Sequence, residues 1–224
     1  MTNVDDKKLG RLPQFDERSR EFAIRTLLPA EKLRSYTWHC PVVIDQDNEG
    51  TCVGHAWAHE MAAKPLTWQS SSYLARLIYR EACIIDPWSG NDQPIINYNY
   101  GTSVIAGAKI ATQLGHYTEY RWAFGINDLL LAIGYKGPAV LGINWYADMF
   151  DPDPDGLLHV SGATSGGHAI LANGVNVKKK LVRLHNSWGT DWGVNGEAFI
   201  SFDDLERLLN EQGEACIPIT RINK

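Results

Sequence analysis

The sequence has no long apolar run. No stretch approaches the roughly 18 consecutive apolar residues that a membrane-spanning helix needs, and residues 1–22 hold no apolar core of the secretory type. Basic residues are scattered, with 21 Lys and Arg against 26 Asp and Glu and a net charge of −5. These absences argue against a membrane or nucleic-acid partner. They predict a cytoplasmic protein, with delivery by a phage or as an effector left open.

Cysteine is also scarce, since only Cys40, Cys52, Cys83 and Cys216 are present. Their number would allow two disulfide bonds. A chain of this length without a secretory signal is expected to keep free thiols. We therefore predict that all four cysteines are reduced.

The sequence does contain enough apolar residues for a core, at 44% of 224. Apolar residues recur with helical spacing near residues 52–62, 71–82 and 103–114, and the later part of the chain has short β-like runs separated by glycine-rich turns. This order, helical patterns followed by strand-like patterns, predicts an α+β fold with two lobes and a cleft between them. The helical lobe would cover residues about 40–115, and a barrel-like, β-rich lobe would cover residues about 116–224.

Cys52 is the first candidate for chemistry. It follows Thr51 and lies in the first turn of the first predicted helix, where free N–H groups and the helix dipole favour a thiolate. Gln46 lies six positions earlier in a polar loop. Its side-chain amide could join the backbone N–H of Cys52 in stabilising an oxyanion. Taken alone, Cys52 could equally be a small buried apolar residue.

His168 and Asn186 are the candidates for its base and for the residue that orients the base. His168 follows Gly167 and opens an apolar strand, and Asn186 lies eighteen positions later, before Trp188. Adjacent antiparallel strands could bring the Asn186 amide oxygen to the imidazole, with Trp188 shielding that hydrogen bond from water. Each feature alone is weak, but their order along the chain indicates nucleophilic catalysis by a thiol.

Three blocks, Gln46–Cys52, Gly167–Ala169 and Asn186–Gly193, resemble the signature blocks of the papain-like cysteine peptidases. The resemblance covers roughly residues 40–220 and is closest to the bacterial and phage branch. It implies the papain-like two-lobe fold, with the nucleophile helix in the helical lobe. It also implies an endopeptidase that is a monomer, needs no cofactor or metal, and acts on a peptide or protein substrate.

The resemblance also implies a role for each site residue. Cys52 would form a thioester acyl-enzyme, His168 would be the general acid and base, Asn186 would orient it, and Gln46 would complete the oxyanion hole. The substrate would pair with the backbone of Gly101 and Thr102 as a short added β-strand. Gly167 and Trp188 would complete the substrate-binding set.

Two departures from the eukaryotic pattern concern the disulfides and the prosegment. Glu49 stands where those members have a cysteine, so their disulfide framework is missing. Residues 1–39 are too few for the long inhibitory prosegment. They carry apolar residues at Leu12, Phe15, Phe22, Ile24, Leu27 and Leu28. This extension would be either a structural belt on the back of both lobes or a shortened prosegment in the cleft, and we favour the belt.

Two metal sites compete with this interpretation. Cys52, His55 and His59 would share one helix face and could bind zinc with His39 or Cys40 as a fourth ligand.

The acidic stretch from Asp151 to Asp155 has the spacing of the first half of a calcium loop. The twelfth position would be Gly162 rather than Glu, so an exposed acidic loop is the preferred interpretation.

A third alternative has the same site residues but catalyses a different reaction. The same triad supports any acyl transfer that starts with thiolate attack. A papain-fold amidase, acyltransferase or effector toxin therefore stays open beside the peptidase.

Overall fold

The computed structural model describes residues 7–28, 32–86 and 99–221. Five α-helices are present in these residues: α1 Cys52–Ala62, α2 Ser72–Ile85, α3 Val104–Gln113, α4 Ile126–Tyr135 and α5 Phe202–Asn210. Short 3₁₀ helices cover Glu17–Phe22, Ile24–Leu27 and Ala147–Phe150. No helix among the described residues is long and apolar enough to cross a membrane.

Within the described part of the chain, seven strands form one antiparallel sheet. They are β1 Tyr36–Thr37, β2 Tyr117–Trp122, β3 Ala139–Tyr146, β4 Thr164–Asn176, β5 Leu181–His185, β6 Glu197–Ser201 and β7 Glu214–Arg221. The order is β2-β7-β3-β4-β5-β6, and β1 pairs with β4. The predicted α+β fold with two lobes is confirmed. The sheet of the β-rich lobe is open, since β2 and β6 lie at its two ends.

Strand β4 separates two apolar cores. Ala169 and Leu171 face the helical core of α1, α2 and α3, whereas Ile170 and Ala172 face the core that contains α4 and α5. This alternation follows from the two-residue period of a strand. Consequently, consecutive residues of β4 reach different cores, and the start of β4 lies where the two lobes meet.

Helix α1 is the centre of the helical lobe, and every one of its residues is buried. Small residues allow its neighbours to approach closely. A Cβ on Gly54 would lie 2.2 Å from the Ala75 carbonyl oxygen of α2, and a Cβ on Gly107 of α3 would lie 2.4 Å from the Trp57 ring. Packing on both sides therefore fixes the N-terminus of α1, where Cys52 lies.

Part of the N-terminal extension packs on the β-rich lobe. Ile24 is buried in its core, and the Trp38 indole N–H donates to the Ile133 carbonyl oxygen at 2.6 Å. Tyr36 and Thr37 form β1 and pair with Val175 and Gly174 of β4. These residues therefore add both apolar contacts and a strand to the lobe.

Candidate active site

Cys52 begins α1 and is fully buried. The backbone N–H of Ala169 donates to its sulfur at 3.4 Å. Since Ala169 directly follows His168 in β4, the strand brings the histidine to the N-terminus of α1. Two residues that are 116 positions apart in sequence thus lie in one site.

His168 and Asn186 are hydrogen-bonded, with Nε2 of the imidazole 2.8 Å from Oδ1 of the amide. The orientation of the amide is fixed, because the same oxygen accepts the backbone N–H of Ser187 at 2.9 Å. The imidazole must therefore donate from Nε2. Its basic nitrogen is then Nδ1, which is buried and has no hydrogen-bond partner within the described residues. This is the tautomer that a base acting on a thiol requires.

Aromatic rings enclose the imidazole. Trp188 lies with its ring centroid 4.7 Å from that of His168 and at 31° to it, and Trp145 contacts the same ring at 4.8 Å. Phe150 stacks on Trp188 at 5.4 Å. Trp188 was singled out in the sequence as a shield for the His168–Asn186 bond, and the structure places it against that pair. Water is excluded from the bond, which strengthens it.

Gln46 is held by Ser187. The hydroxyl of Ser187 donates to Gln46 Oε1 at 2.6 Å, and the backbone N–H of Gln46 donates to the Ser187 carbonyl oxygen at 2.9 Å. The amide nitrogen is thereby turned to donate to the Glu49 carbonyl oxygen at 2.6 Å and the Lys8 carbonyl oxygen at 3.0 Å. Sequence reasoning gave Ser187 no role. Its only signal was its place directly after Asn186.

Residues 8–12, which we call the cleft segment, lie across this site. The backbone N–H groups of Gly10 and Arg11 donate to the Gly167 carbonyl oxygen at 3.2 and 3.0 Å. Thr102 donates its N–H to the Gly10 carbonyl oxygen and accepts the N–H of Leu12, both at 2.9 Å. The segment therefore bridges Thr102 of the helical lobe and Gly167 of the β-rich lobe.

Glycines make this close approach possible. A Cβ on Gly101 would lie 2.2 Å from the Gly10 carbonyl oxygen, and a Cβ on Gly167 would lie 2.3 Å from that of Arg11. A Cβ on Gly10 itself would lie 2.0 Å from the Gly50 carbonyl oxygen. Gly101, Thr102 and Gly167, which the sequence singled out for substrate binding, thus contact a peptide in this structure, and that peptide belongs to the same chain.

The covered site keeps the thiol and the imidazole neutral. Burial raises the pKa of Cys52 to about 11, although N–H groups of Ala169, Gly10 and Val53 oppose it. Burial also lowers the pKa of His168 to about 4, although the hydrogen bond that its imidazole donates to Asn186 opposes the shift. The sequence predicted that the helix terminus favours a thiolate. In this arrangement the loss of solvation outweighs the helix dipole.

Comparisons with known proteins agree with this architecture. Xylellain, a cysteine protease from Xylella fastidiosa, superimposes with a TM-score of 0.73 at 18% identity over 97% of both chains. Procathepsin L 3 from the larval midgut of Tenebrio molitor gives a TM-score of 0.60 at 15% identity, covering 96% of this chain and 76% of the other. This chain has the fold of the papain-like cysteine peptidases.

Sequence relatives point the same way. Cathepsin B-like cysteine proteinase 4 from Caenorhabditis elegans is 24% identical over 193 residues, which are 78% of this chain and 55% of the relative. Cathepsin B-like cysteine proteinase 6 from the same organism is 31% identical over 80 residues, which are 33% of this chain and 21% of the relative. The chain thus spans about half the length, or less, of these relatives. No protein-family profile matches the sequence.

In this papain-like fold, the two histidines of α1 contact backbone groups rather than forming a zinc site. Nδ1 of His55 lies 3.0 Å from the Thr51 carbonyl oxygen, and Nε2 of His59 accepts the backbone N–H of Ile44 at 3.0 Å. Within the described part of the chain, no three His, Cys, Asp or Glu side chains are grouped for a metal. The zinc alternative therefore has no support.

The acidic loop is a turn in this papain-like fold. Oδ1 of Asp153 accepts the backbone N–H groups of Asp155 and Leu157 at 2.9 and 2.8 Å. Its carboxylate therefore closes the loop, as expected for an aspartate that stabilises a turn.

Proposed function

We propose that this protein is a cysteine endopeptidase in which Cys52 is the nucleophile and His168 the general acid and base. The observation that carries the proposal is the 2.8 Å bond between His168 and Asn186 beside the Cys52 sulfur at the head of α1. It leaves Nδ1 of His168 free to accept the thiol proton. Such a set, a nucleophile, a base and a group that orients the base, is what covalent acyl transfer requires.

The reaction follows from these positions. Transfer of the thiol proton to His168 gives a thiolate, which attacks the scissile carbonyl carbon. The oxyanion is stabilised by the backbone N–H of Cys52 and the Gln46 amide. His168 then protonates the leaving amine, and a thioester on Cys52 remains. A water molecule that gives its proton to His168 attacks the thioester, which releases the carboxylic acid and restores the thiol.

We further propose that the cleft segment blocks the enzyme. The Lys8 carbonyl oxygen accepts the Gln46 amide N–H that a substrate oxyanion would need, and the Gly10 backbone is held between Thr102 and Gly167. The papain-like enzyme would act once this segment leaves or is removed.

The rest of the extension would be the structural belt that the sequence favoured. Residues 23–28 and 32–38, which we call the packed segment, would stay on the β-rich lobe through Ile24, Trp38 and β1. The two alternatives for the extension would then both apply, each to a different stretch.

We also propose that the enzyme is a monomer and works in a reducing compartment such as the cytoplasm. All four cysteines are buried free thiols, which is the usual state in such a compartment. Size-exclusion chromatography with light scattering would test the first point, since a stable dimer would double the mass.

Peptide hydrolysis by a chain that lacks residues 1–12 tests the function. We expect cleavage of a fluorogenic peptide library, complete loss on Cys52→Ala, and no loss on Cys40→Ala, because the Cys40 thiol contacts the carbonyl oxygens of Val42 and His59 rather than a site residue. Hydrolysis that survives Cys52→Ala would refute the proposal. Transfer of the acyl group to an added amine, with no hydrolysis, would favour the acyltransferase alternative.

A further inference from the structure

Asp86 is a buried carboxylate that the proposed reaction does not use. It directly follows Ile85, the last residue of α2, and is 5% exposed. Its Oδ2 accepts the hydroxyl of Thr102 at 2.6 Å and the backbone N–H of Ser103 at 2.9 Å. One carboxylate oxygen thus holds two consecutive residues just before α3, and hydrogen bonds to a charged acceptor are the strong class.

One of the two residues that Asp86 holds is the residue on which the bound peptide pairs. Thr102 donates its N–H to the Gly10 carbonyl oxygen and accepts the N–H of Leu12, both at 2.9 Å. A substrate that binds as an added strand would use the same N–H and carbonyl oxygen. Substrate binding therefore depends on how the Thr102 backbone is oriented.

The sheet does not fix that orientation. Thr102 lies outside the seven strands, and in the described part of the chain its β-type pairing is with Arg11 of the cleft segment. Gly101, which precedes it, has a φ of 78°, and a glycine adopts many backbone conformations. When the cleft segment leaves, the pairing with Arg11 is lost, whereas the two bonds to Asp86 remain. Asp86 thus holds Thr102 in place for a substrate.

Asp86 is itself attached to the helix that packs on the nucleophile helix. Its backbone N–H donates to the Ala82 carbonyl oxygen at 2.9 Å and so ends α2. Helix α2 lies close against α1, since a Cβ on Gly54 would lie 2.2 Å from the Ala75 carbonyl oxygen. The carboxylate therefore links the position of the peptide-binding backbone to the position of Cys52.

We propose that Asp86 is a positioning residue that orients the backbone of Thr102 for substrate binding. This inference rests on the proposed peptidase activity. Asp86 acts through Thr102 and Ser103, and its carboxylate does not touch the substrate. A substrate long enough to pair with Thr102 should therefore depend on Asp86, whereas a substrate that ends at the thiol should depend on it much less.

The test compares two substrates on the full chain with Gly10→Ala. That change unseats the cleft segment, because a Cβ there would lie 2.0 Å from the Gly50 carbonyl oxygen. One substrate is a blocked fluorogenic tripeptide amide, which reaches Thr102, and the other is an ester of a single blocked residue, which does not. Asp86→Ala should raise KM for the tripeptide by at least about 5-fold, the scale of one to two hydrogen bonds, with a smaller change in kcat. Its effect on kcat/KM for the ester should stay below about 2-fold, less than the loss of one hydrogen bond.

Two further variants separate positioning from folding. Asp86→Asn keeps an acceptor oxygen for both donors and should restore KM for the tripeptide to within about 2-fold of the parent. Asp204→Ala is the matched control, since the Asp204 carboxylate accepts the hydroxyl of Ser201 at 2.7 Å at the start of α5 in the other lobe. It should leave KM for both substrates unchanged.

An equal loss of kcat/KM for both substrates, or no rise in KM for the tripeptide, would overturn the inference. If Asp86→Ala does not fold, Thr102→Val removes the donated hydroxyl at nearly constant shape. It should raise KM for the tripeptide in the same selective way, and an unchanged KM would again overturn the inference. If Gly10→Ala does not fold, Arg11→Glu unseats the cleft segment instead, since its carboxylate would lie beside that of Glu214.

A measurement on the full chain with Gly10 in place does not require peptidase activity. Because the cleft segment pairs with Thr102, Asp86→Ala should increase the rate of Cys52 alkylation by iodoacetamide by at least about 5-fold, and Asp86→Asn should not. Mass mapping of buried Cys216 controls for unfolding. An unchanged Cys52 rate would overturn the inference alone. Cleavage of neither substrate after the segment is unseated, with no labelling of Cys52 by an electrophilic peptide, would refute the peptidase function and the substrate role of Asp86 with it.

Discussion

The two stretches of the N-terminal extension are bound to the molecule by different forces. The packed segment inserts Ile24 and Trp38 among apolar side chains and pairs a strand with β4. The cleft segment contributes one partly buried apolar side chain, Leu9, at the edge of that core. Its other contacts are backbone hydrogen bonds to Thr102 and Gly167 and the ion pair of Arg11 with Glu214.

This difference assigns a role to each stretch. Burial of apolar area is lost only when the fold opens, so the packed segment should contribute to stability. Backbone hydrogen bonds and an ion pair can be replaced by equivalent groups of a substrate, so the cleft segment should leave while the fold stays intact. The following experiments test that separation.

The largest effect should be on the reactivity of the thiol. A pKa of about 11 leaves on the order of 10⁻⁴ of Cys52 ionised at pH 7, whereas an ordinary exposed cysteine has a few per cent. Deletion of residues 1–12 should therefore raise the rate of Cys52 alkylation by iodoacetamide by at least about 10²-fold. Mass mapping reads Cys52 separately, and buried Cys216 is the internal control. An unchanged rate would mean that the cleft segment does not protect the thiol.

Gln46→Ala should have opposite effects in the chain without residues 1–12 and in the full chain. In the chain without residues 1–12, turnover should fall by about 10²–10³, the cost of one oxyanion donor. In the full chain, loss of its bond to the Lys8 carbonyl oxygen should increase Cys52 alkylation. Peptide hydrolysis and alkylation measure the two effects. A fall in both would show that Gln46 does not hold the cleft segment.

Ile24→Ala tests the packed segment. Removing a fully buried isoleucine should lower the free energy of unfolding by about 2–5 kcal/mol without exposing Cys52. Denaturant unfolding and alkylation of the folded protein measure the two outcomes. Ile84→Ala, at an isoleucine that is 57% exposed, is the matched control and should change stability little. If Ile24→Ala raised Cys52 reactivity as much as deletion of residues 1–12, the two stretches would act as one unit.

The smallest effect should be on the pH dependence of stability, and it should not depend on the cleft segment or the packed segment. Burial opposes protonation of His185, but hydrogen bonds with Cys40 and Glu197 outweigh it and raise its pKa to about 9. The geometry agrees, since Nδ1 lies 3.2 Å from Glu197 and Nε2 lies 2.8 Å from the Val42 carbonyl oxygen. A raised folded-state pKa gives stability that is complete below about pH 6.5 and lost as pH rises through 9.

Tm should therefore fall between pH 7 and pH 9 by an amount that His185→Gln reduces. The reduction caused by His185→Gln should be the same in the full chain and in the chain without residues 1–12. A different reduction would mean that the His185 effect depends on the cleft segment.

The spacing of apolar residues along the sequence was sufficient to predict much of the fold. The helix predicted at residues 52–62 is α1, because the apolar residues that predicted it are all buried in the helical lobe. Helix α5 was not predicted. It is nine residues long and rich in charge, although Leu205 and Leu208 lie three apart behind the cap of Ser201 and could have indicated it. Short elements with few apolar positions give a weak periodic signal.

The contacts of the candidate site were likewise predictable only in part. Cys52, His168 and Asn186 could be found because each needs a particular side chain in a particular order. The contact of Gly10 with Gly167 could not be found, because it joins two backbone groups that leave no side-chain pattern. The partnership of Arg11 and Glu214 was hidden by a separation of 203 residues. The apolar residues of the extension favoured the belt interpretation, whereas Arg11, the residue that enters the cleft, is charged.

Trapping the acyl-enzyme tests the central claim most directly. The chain without residues 1–12 is mixed with a peptide ester, quenched in acid within the first turnovers, and digested for mass spectrometry. We predict the acyl mass on the peptide that contains Cys52, loss of that mass after hydroxylamine treatment, and its absence in Cys52→Ala. An acyl group on another residue, or rapid hydrolysis by Cys52→Ala, would contradict the assignment of Cys52 as the nucleophile.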